Sequence, residues 1–233
     1  MVELGILPSV VTQLAEEKRL AYLDRRGSFS DFAWAQVEAY QGQARLRGIR
    51  VSDAEFAAQE VMREKGRRVH RFTDQLAKVT KAAGMECVII SGSIYEAVEA
   101  FAKVNDITHF FGTKDPRVDG FYTGGEAEAW SHRKDEVVHK IVREHGVDLA
   151  TSVAIGDSAS DAKMLGLVGY PICFNPERAL LEVARMRQWP VVWEKKNVTT
   201  YFQTNAGCWD LRERQLTNIL PRALADLMAQ KLV

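Results

Sequence analysis

What this 233-residue sequence is short of narrows the field first. It has three cysteines, Cys87, Cys173 and Cys208, far apart and in apolar settings. They fit reduced, packed thiols better than a disulfide framework or a zinc site. It has no excess of either charge, with 31 Lys plus Arg against 31 Asp plus Glu, whereas a nucleic-acid binder carries a basic excess or stripe. Its two basic clusters, "RLRGIR" and "EKGRRVHR", are short, interleaved with acids, and read as solvated helix faces. No apolar run approaches the roughly 20 residues of a membrane helix, and no signal peptide is visible. No internal repeat or low-complexity segment stands out, and the five histidines show no ligand spacing. The expectation is a cytoplasmic, soluble protein with neither nucleic acid nor membrane as a partner.

What is present is enough apolar material, 46% of residues, for a sizeable core and a smaller subdomain. Residues 1–69 read as helices. "PSVVTQLAEEKRLAYLDRRG" sets Val10, Leu14, Leu20 and Leu23 among charges, and "SFSDFAWAQVEAYQGQARLRG" spaces Phe29, Phe32, Val37 and Tyr40 for one face. "SDAEFAAQEVMREKG" opens with Ser52 as N-cap and Glu55 three residues on, a capping-box pattern. From residue 70 to 195 helices alternate with short apolar strands: "ECVIIS", "ITHFFG", a Gly-rich hairpin at "GFYTGG", then "SVAIG", "YPICF" and "PVVW". That alternation predicts an α/β core with a doubly wound, parallel, Rossmann-like sheet. Residues 196–233 read as a helical extension.

Three places carry candidate chemistry. "VAIGDSASDAKML" hands an apolar strand over to a helix with Asp157 and Asp161 four apart. Hard oxygens at the carboxyl end of such a strand suit Mg2+, and an Asx turn opening a helix would use the same residue types. In "VIISGS", Ser91 and Gly92 sit between a strand and a helix, where a hydroxyl and free amides make an anion site or a plain helix cap. Lys134 stands at the start of the amphipathic helix "RKDEVVHKIVREHG", although lysine favours the other end. Alone it reads as a surface residue.

Taken in order, strand–Ser, Lys at a helix start and strand–GDxxxD resemble the haloacid dehalogenase (HAD) superfamily of phosphohydrolases, in its phosphoserine phosphatase-like branch. "FTDQLAKVTKAAGMECVIISGS" resembles the second motif of that branch and "GDSASDAKML" its acidic motif. Residues 1–69 resemble its helical cap. The resemblance implies Mg2+-assisted phosphoryl transfer from a small phosphorylated substrate. It makes Ser91, Lys134 and Asp157 catalytic, Ser91, Gly92 and Lys134 phosphate-binding, and Asp157 and Asp161 metal-binding. The family's first motif, DxDxT, does not occur in the sequence. Its nearest imitation is Asp24 in "LAYLDRRGS", with Arg26 where the acid/base carboxylate belongs. The first core strand and its nucleophile are therefore expected to be missing, leaving a sheet edge that lowers stability and favours a homo-oligomer. A phosphatase of small phosphomonoesters is the leading expectation. The other is a non-catalytic phosphometabolite-binding or interaction protein that keeps the pocket.

Overall fold

Apolar runs in the second half of the chain lie between amphipathic segments, and in the computed structural model these runs become strands. The structure describes residues 10–24, 26, 46–195, 198–205, 208–213, 220–222 and 224–227. They fall into two compact units. The first takes the described part of Met1–Arg67 with Ser91–Asp106 and Gly112–Ala129; the second takes Arg68–Ile90, Ile107–Phe111 and the described part of Trp130–Val233.

In the first unit, helix α1 spans Val10–Leu23 and α2 spans Val51–Lys65. Helix α2 starts one residue before the expected Ser52 cap; Arg50 occupies that position without a side-chain cap bond. Its buried Ala54, Ala57 and Ala58 let it pack closely on α4 (Tyr95–Val104), whose Ala100 and Ala102 are also buried. The hairpin of β3 (Arg117–Val118) and β4 (Phe121–Tyr122) turns through Asp119 and Gly120, at φ 49° and 79°. Positive φ at both central residues suits the right-handed strand twist, and Asp-Gly tolerates it. Tyr122 joins Leu46, Val51 and Ala54 in this unit's core. Of the helix expected over residues 28–48, residues 28–45 lie outside the described residues. Asp24 follows α1, and its exposed carboxylate accepts from Arg26 at 2.7 Å.

The second unit is built on a five-stranded sheet. Strands β5 (Val153–Gly156), β6 (Tyr170–Phe174) and β7 (Pro190–Lys195) run parallel; β8 (Val198–Asn205) and β9 (Cys208–Glu213) follow antiparallel. Alternation along the strands sends side chains to two covered faces. Ile172, Phe174 and Val192 meet Phe72, Leu76 and Val79 of α3 (Arg71–Ala82), together with Leu220 and Leu224. Cys173 and Val191 meet Leu165 and, on α7 (Arg178–Arg187), Leu180 and Ala184. Strands β1 (Val88–Ile94) and β2 (His109–Thr113) pair as a separate two-stranded sheet, and each runs from the second unit into the first.

The α/β class and the parallel core strands match the expectation. Two boundaries do not. Residues 70–195 are divided between the two units, α4 packing with α2 in the first. The expected helical tail begins with two strands, since "VTTYFQTN" is β-branched and aromatic and pairs along β7 from Lys195↔Val198 to Pro190↔Gln203. Among the described residues no helix is long and apolar enough to cross a membrane.

Candidate active site

The acidic turn is assembled by the end of β5. Gly156 closes the strand, Asp157 follows, a 3-10 turn covers Ala159–Asp161, and the short helix α6 (Ala162–Leu165) continues it. Asp161, 2% exposed, turns back over the loop. Its Oδ2 accepts from the N–H of Asp157 (3.0 Å) and of Ser158 (3.1 Å) and from the Ser158 hydroxyl (3.2 Å). This is a capping box, in which Ser158 and Asp161 satisfy each other's backbone amides. The fold-back requires glycine at 156: a Cβ there would stand 2.4 Å from the Asp161 Cβ and 2.6 Å from its Cγ.

Lys134 is the first residue of α5 (Lys134–His145), as its position in the sequence predicts. Its ammonium donates to Asp161 Oδ1, with the lysine side chain 13% exposed. Asp161 thus spends both oxygens inside the protein. Asp157 does the opposite. As a residue Asp157 is exposed, its carboxyl only partly screened from water, and among the described residues no other side chain hydrogen-bonds or ion-pairs with it. Burial and the neighbouring Asp161 charge push its pKa above the ordinary carboxylate value, against the pull of Lys134. Glu177 braces the turn from the next strand–helix junction. Its N–H donates to the Asp157 carbonyl (2.8 Å) and its carboxylate accepts from the Ala159 N–H (2.7 Å).

Lys134, Asp157 and Asp161 are therefore brought together. Ser91 and Gly92 belong to the first unit, and there the structure corrects the expectation of a helix N-terminus. Strand β1 runs on through Ile94, so both lie within the strand. The Gly92 carbonyl accepts from the Thr113 hydroxyl at 2.8 Å, which holds the extended path. Ser91 Oγ accepts from the Ser93 N–H at 3.1 Å, leaving its own hydroxyl proton to donate. Glu177 escaped the sequence reading; a carboxylate after Asn-Pro at a strand end is its only local signal.

The donor set around Asp157 suits a hard divalent cation. Mg2+ keeps water and takes one or two carboxylates along with phosphate oxygens, so a single unclaimed carboxylate is a fitting anchor. Among the described residues no group of three or more His, Cys, Asp or Glu could hold a metal by itself. Asp161 Oδ1 accepts only from Lys134 and keeps a further lone pair.

The chain matches the family model of haloacid dehalogenase-like hydrolases over residues 10–166, and it belongs to that family. Among curated relatives, an inhibition of morphological differentiation protein from Streptomyces azureus is 36% identical over 112 residues, which is 47% of this chain and 40% of that one. A phosphoserine phosphatase from Mycobacterium tuberculosis is 31% identical over 121 residues, 51% of this chain and 39% of the relative. The matched segment thus spans about two fifths of these relatives' length. Among solved structures, a substrate-bound phosphoserine phosphatase superposes with a TM-score of 0.52 at 21% identity, covering 75% of this chain and 78% of that one. A Bordetella pertussis protein of unknown function reaches 0.58 at 23%, covering 80% and 92%. At these identities the superpositions establish the shared fold.

Proposed function

We propose that the protein acts in Mg2+-assisted hydrolysis of a small phosphorylated metabolite, a phosphomonoester. The observation that carries the reading is the exposed Asp157 carboxylate, bound by no other side chain among the described residues, beside a lysine already fixed by Asp161. Family membership and relatives named as phosphatases support it.

On this reading Asp157 would hold Mg2+, which when bound neutralises phosphoryl oxygens and organises the leaving group. Lys134 has three ammonium protons and spends one on Asp161, so the others can meet phosphoryl oxygens. Asp161 would support the metal's ligand shell while it keeps Lys134 aimed and the turn closed. The roles of Ser91 and Gly92, hydrogen bonds to the phosphoryl group from a hydroxyl and an amide, rest on the motif. These residues grip rather than attack: none is the nucleophilic carboxylate of the DxDxT motif. The proposal also takes the substrate to be soluble and cytoplasmic, with no nucleic acid or membrane involved, and allows association with a second copy.

The test is phosphate release from a panel of monoesters, O-phosphoserine among them, by the protein purified at the length its cells make. Release that needs Mg2+ and disappears in Asp157→Asn is expected. Silence across the panel, with inorganic phosphate still bound, would overturn the enzymatic reading in favour of a binding protein.

A further inference from the structure

An open polar cavity of about 520 Å³ lies wholly within the first unit. Tyr95, Lys114 and Arg117 line it together with Asp115, Pro116, Glu126 and Glu128. Lys114 and Glu128 face each other across an antiparallel bridge, with main-chain bonds of 3.0 and 2.9 Å running both ways. Residues directly opposite in such a pair share a face, and opposite charges there normally join. Here they do not. The Lys114 ammonium instead sits over the Tyr95 ring, 5.0 Å from its centroid, and forms no ion pair among the described residues. Neither Glu126 nor Glu128 forms one either.

Arg117 is fixed differently. Its guanidinium lies 5.6 Å from the Tyr122 ring centroid and donates at 2.9 Å to Glu96, which is 3% exposed. One edge of the fork is used there, and other N–H groups remain. The cavity lining therefore carries two cations, each over an aromatic face, and three carboxylates, of which Glu126 and Glu128 form no ion pair among the described residues. A purely anionic ligand would leave the acids facing it, and a purely cationic one would face Lys114 and Arg117.

We infer that this cavity binds a small zwitterion, an ammonium and a carboxylate separated by a few carbons, with the carboxylate on Lys114 and Arg117 and the ammonium on Glu126 and Glu128. The test uses three probes of equal chain length: γ-aminobutyrate, butyrate and butylamine, titrated into the whole protein while the amide signals of residues 112–129 are followed by NMR. Binding of γ-aminobutyrate about tenfold tighter than either singly charged probe is expected, since one engaged charge accounts for roughly that factor. Lys114→Gln should lower it to the level of butylamine. The pair Glu126→Gln and Glu128→Gln should lower it to that of butyrate, and both variants should keep the wild-type circular dichroism. Equal affinity for the three probes, or a preference that both variants retain, would overturn the inference.

Discussion

Two carboxylates of the second unit perform the same local task in different company. Asp161 takes the N–H groups of Asp157 and Ser158 and the ammonium of Lys134. Glu194, on β7 and 6% exposed, takes the N–H groups of Arg71 (2.8 Å) and Phe72 (2.7 Å) at the start of α3, with His70 Nδ1 at 3.1 Å. Each satisfies amides that a helix or turn leaves open. Around Glu194 nothing is left over: its own N–H donates to Asn175 Oδ1 at 2.8 Å, and the junction of β7 with α3 is closed. Beside Asp161 a further carboxylate, Asp157, stands exposed with no side-chain partner among the described residues. The first arrangement is a strut. The second keeps a charge in reserve at an energetic cost, as a binding site must.

Breaking Asp161 should have the largest effect. Asp161→Ala strands a largely buried ammonium and two amides, so a loss of about 3–5 kcal/mol is expected in urea unfolding. Gly156→Ala strikes the same turn sterically, and the displaced Asp161 should cost about 1–3 kcal/mol. At the other junction, Glu194→Gln replaces a doubly accepting carboxylate with an amide and should cost about 1–3 kcal/mol at neutral pH. Burial alone would raise the Glu194 pKa; the amides of Phe72 and Arg71, with His70, more than reverse that and hold it below the ordinary 4.5. Its contribution is therefore complete above about pH 4.5 and is lost as the pH falls through the lower folded value. The gap between wild type and Glu194→Gln should close in acid.

The smallest change has the opposite sign and sharpens the contrast most. Because the Asp157 pKa is raised by burial and by Asp161, its ionised form opposes folding. Stability should fall as the pH rises through the raised value, and the penalty should vanish in acid. Without metal, Asp157→Asn should raise the melting temperature at neutral pH, by an amount on the order of 1–2 °C. A drop would show that the carboxylate is structural.

Much of this was legible locally. A strand ending in Gly-Asp with a second Asp four residues on, and a lysine opening an amphipathic helix, gave Asp157, Asp161 and Lys134 their places. What could not be read depends on distant partners. Glu194 works through amides 122 and 123 residues away, and Glu177 through one 18 away, so neither carries a local pattern. The Ser91–Gly92 turn read as a helix start because glycine and serine favour such ends. Pairing with β2 and the Thr113 hydroxyl extended the strand instead. Strand β8 carries a local signal in its β-branched and aromatic residues, VTTYFQTN, whereas β9, CWDLRE, has none.

The most direct test of the central claim is the thermal response of wild type and Asp157→Asn to Mg2+. At a concentration ten times its dissociation constant the ion should stabilise the wild type by roughly 1.4 kcal/mol and leave the variant where it was. Equal stabilisation of both proteins, or none of the wild type at millimolar Mg2+, would contradict the assignment of Asp157 as the reserved ligand.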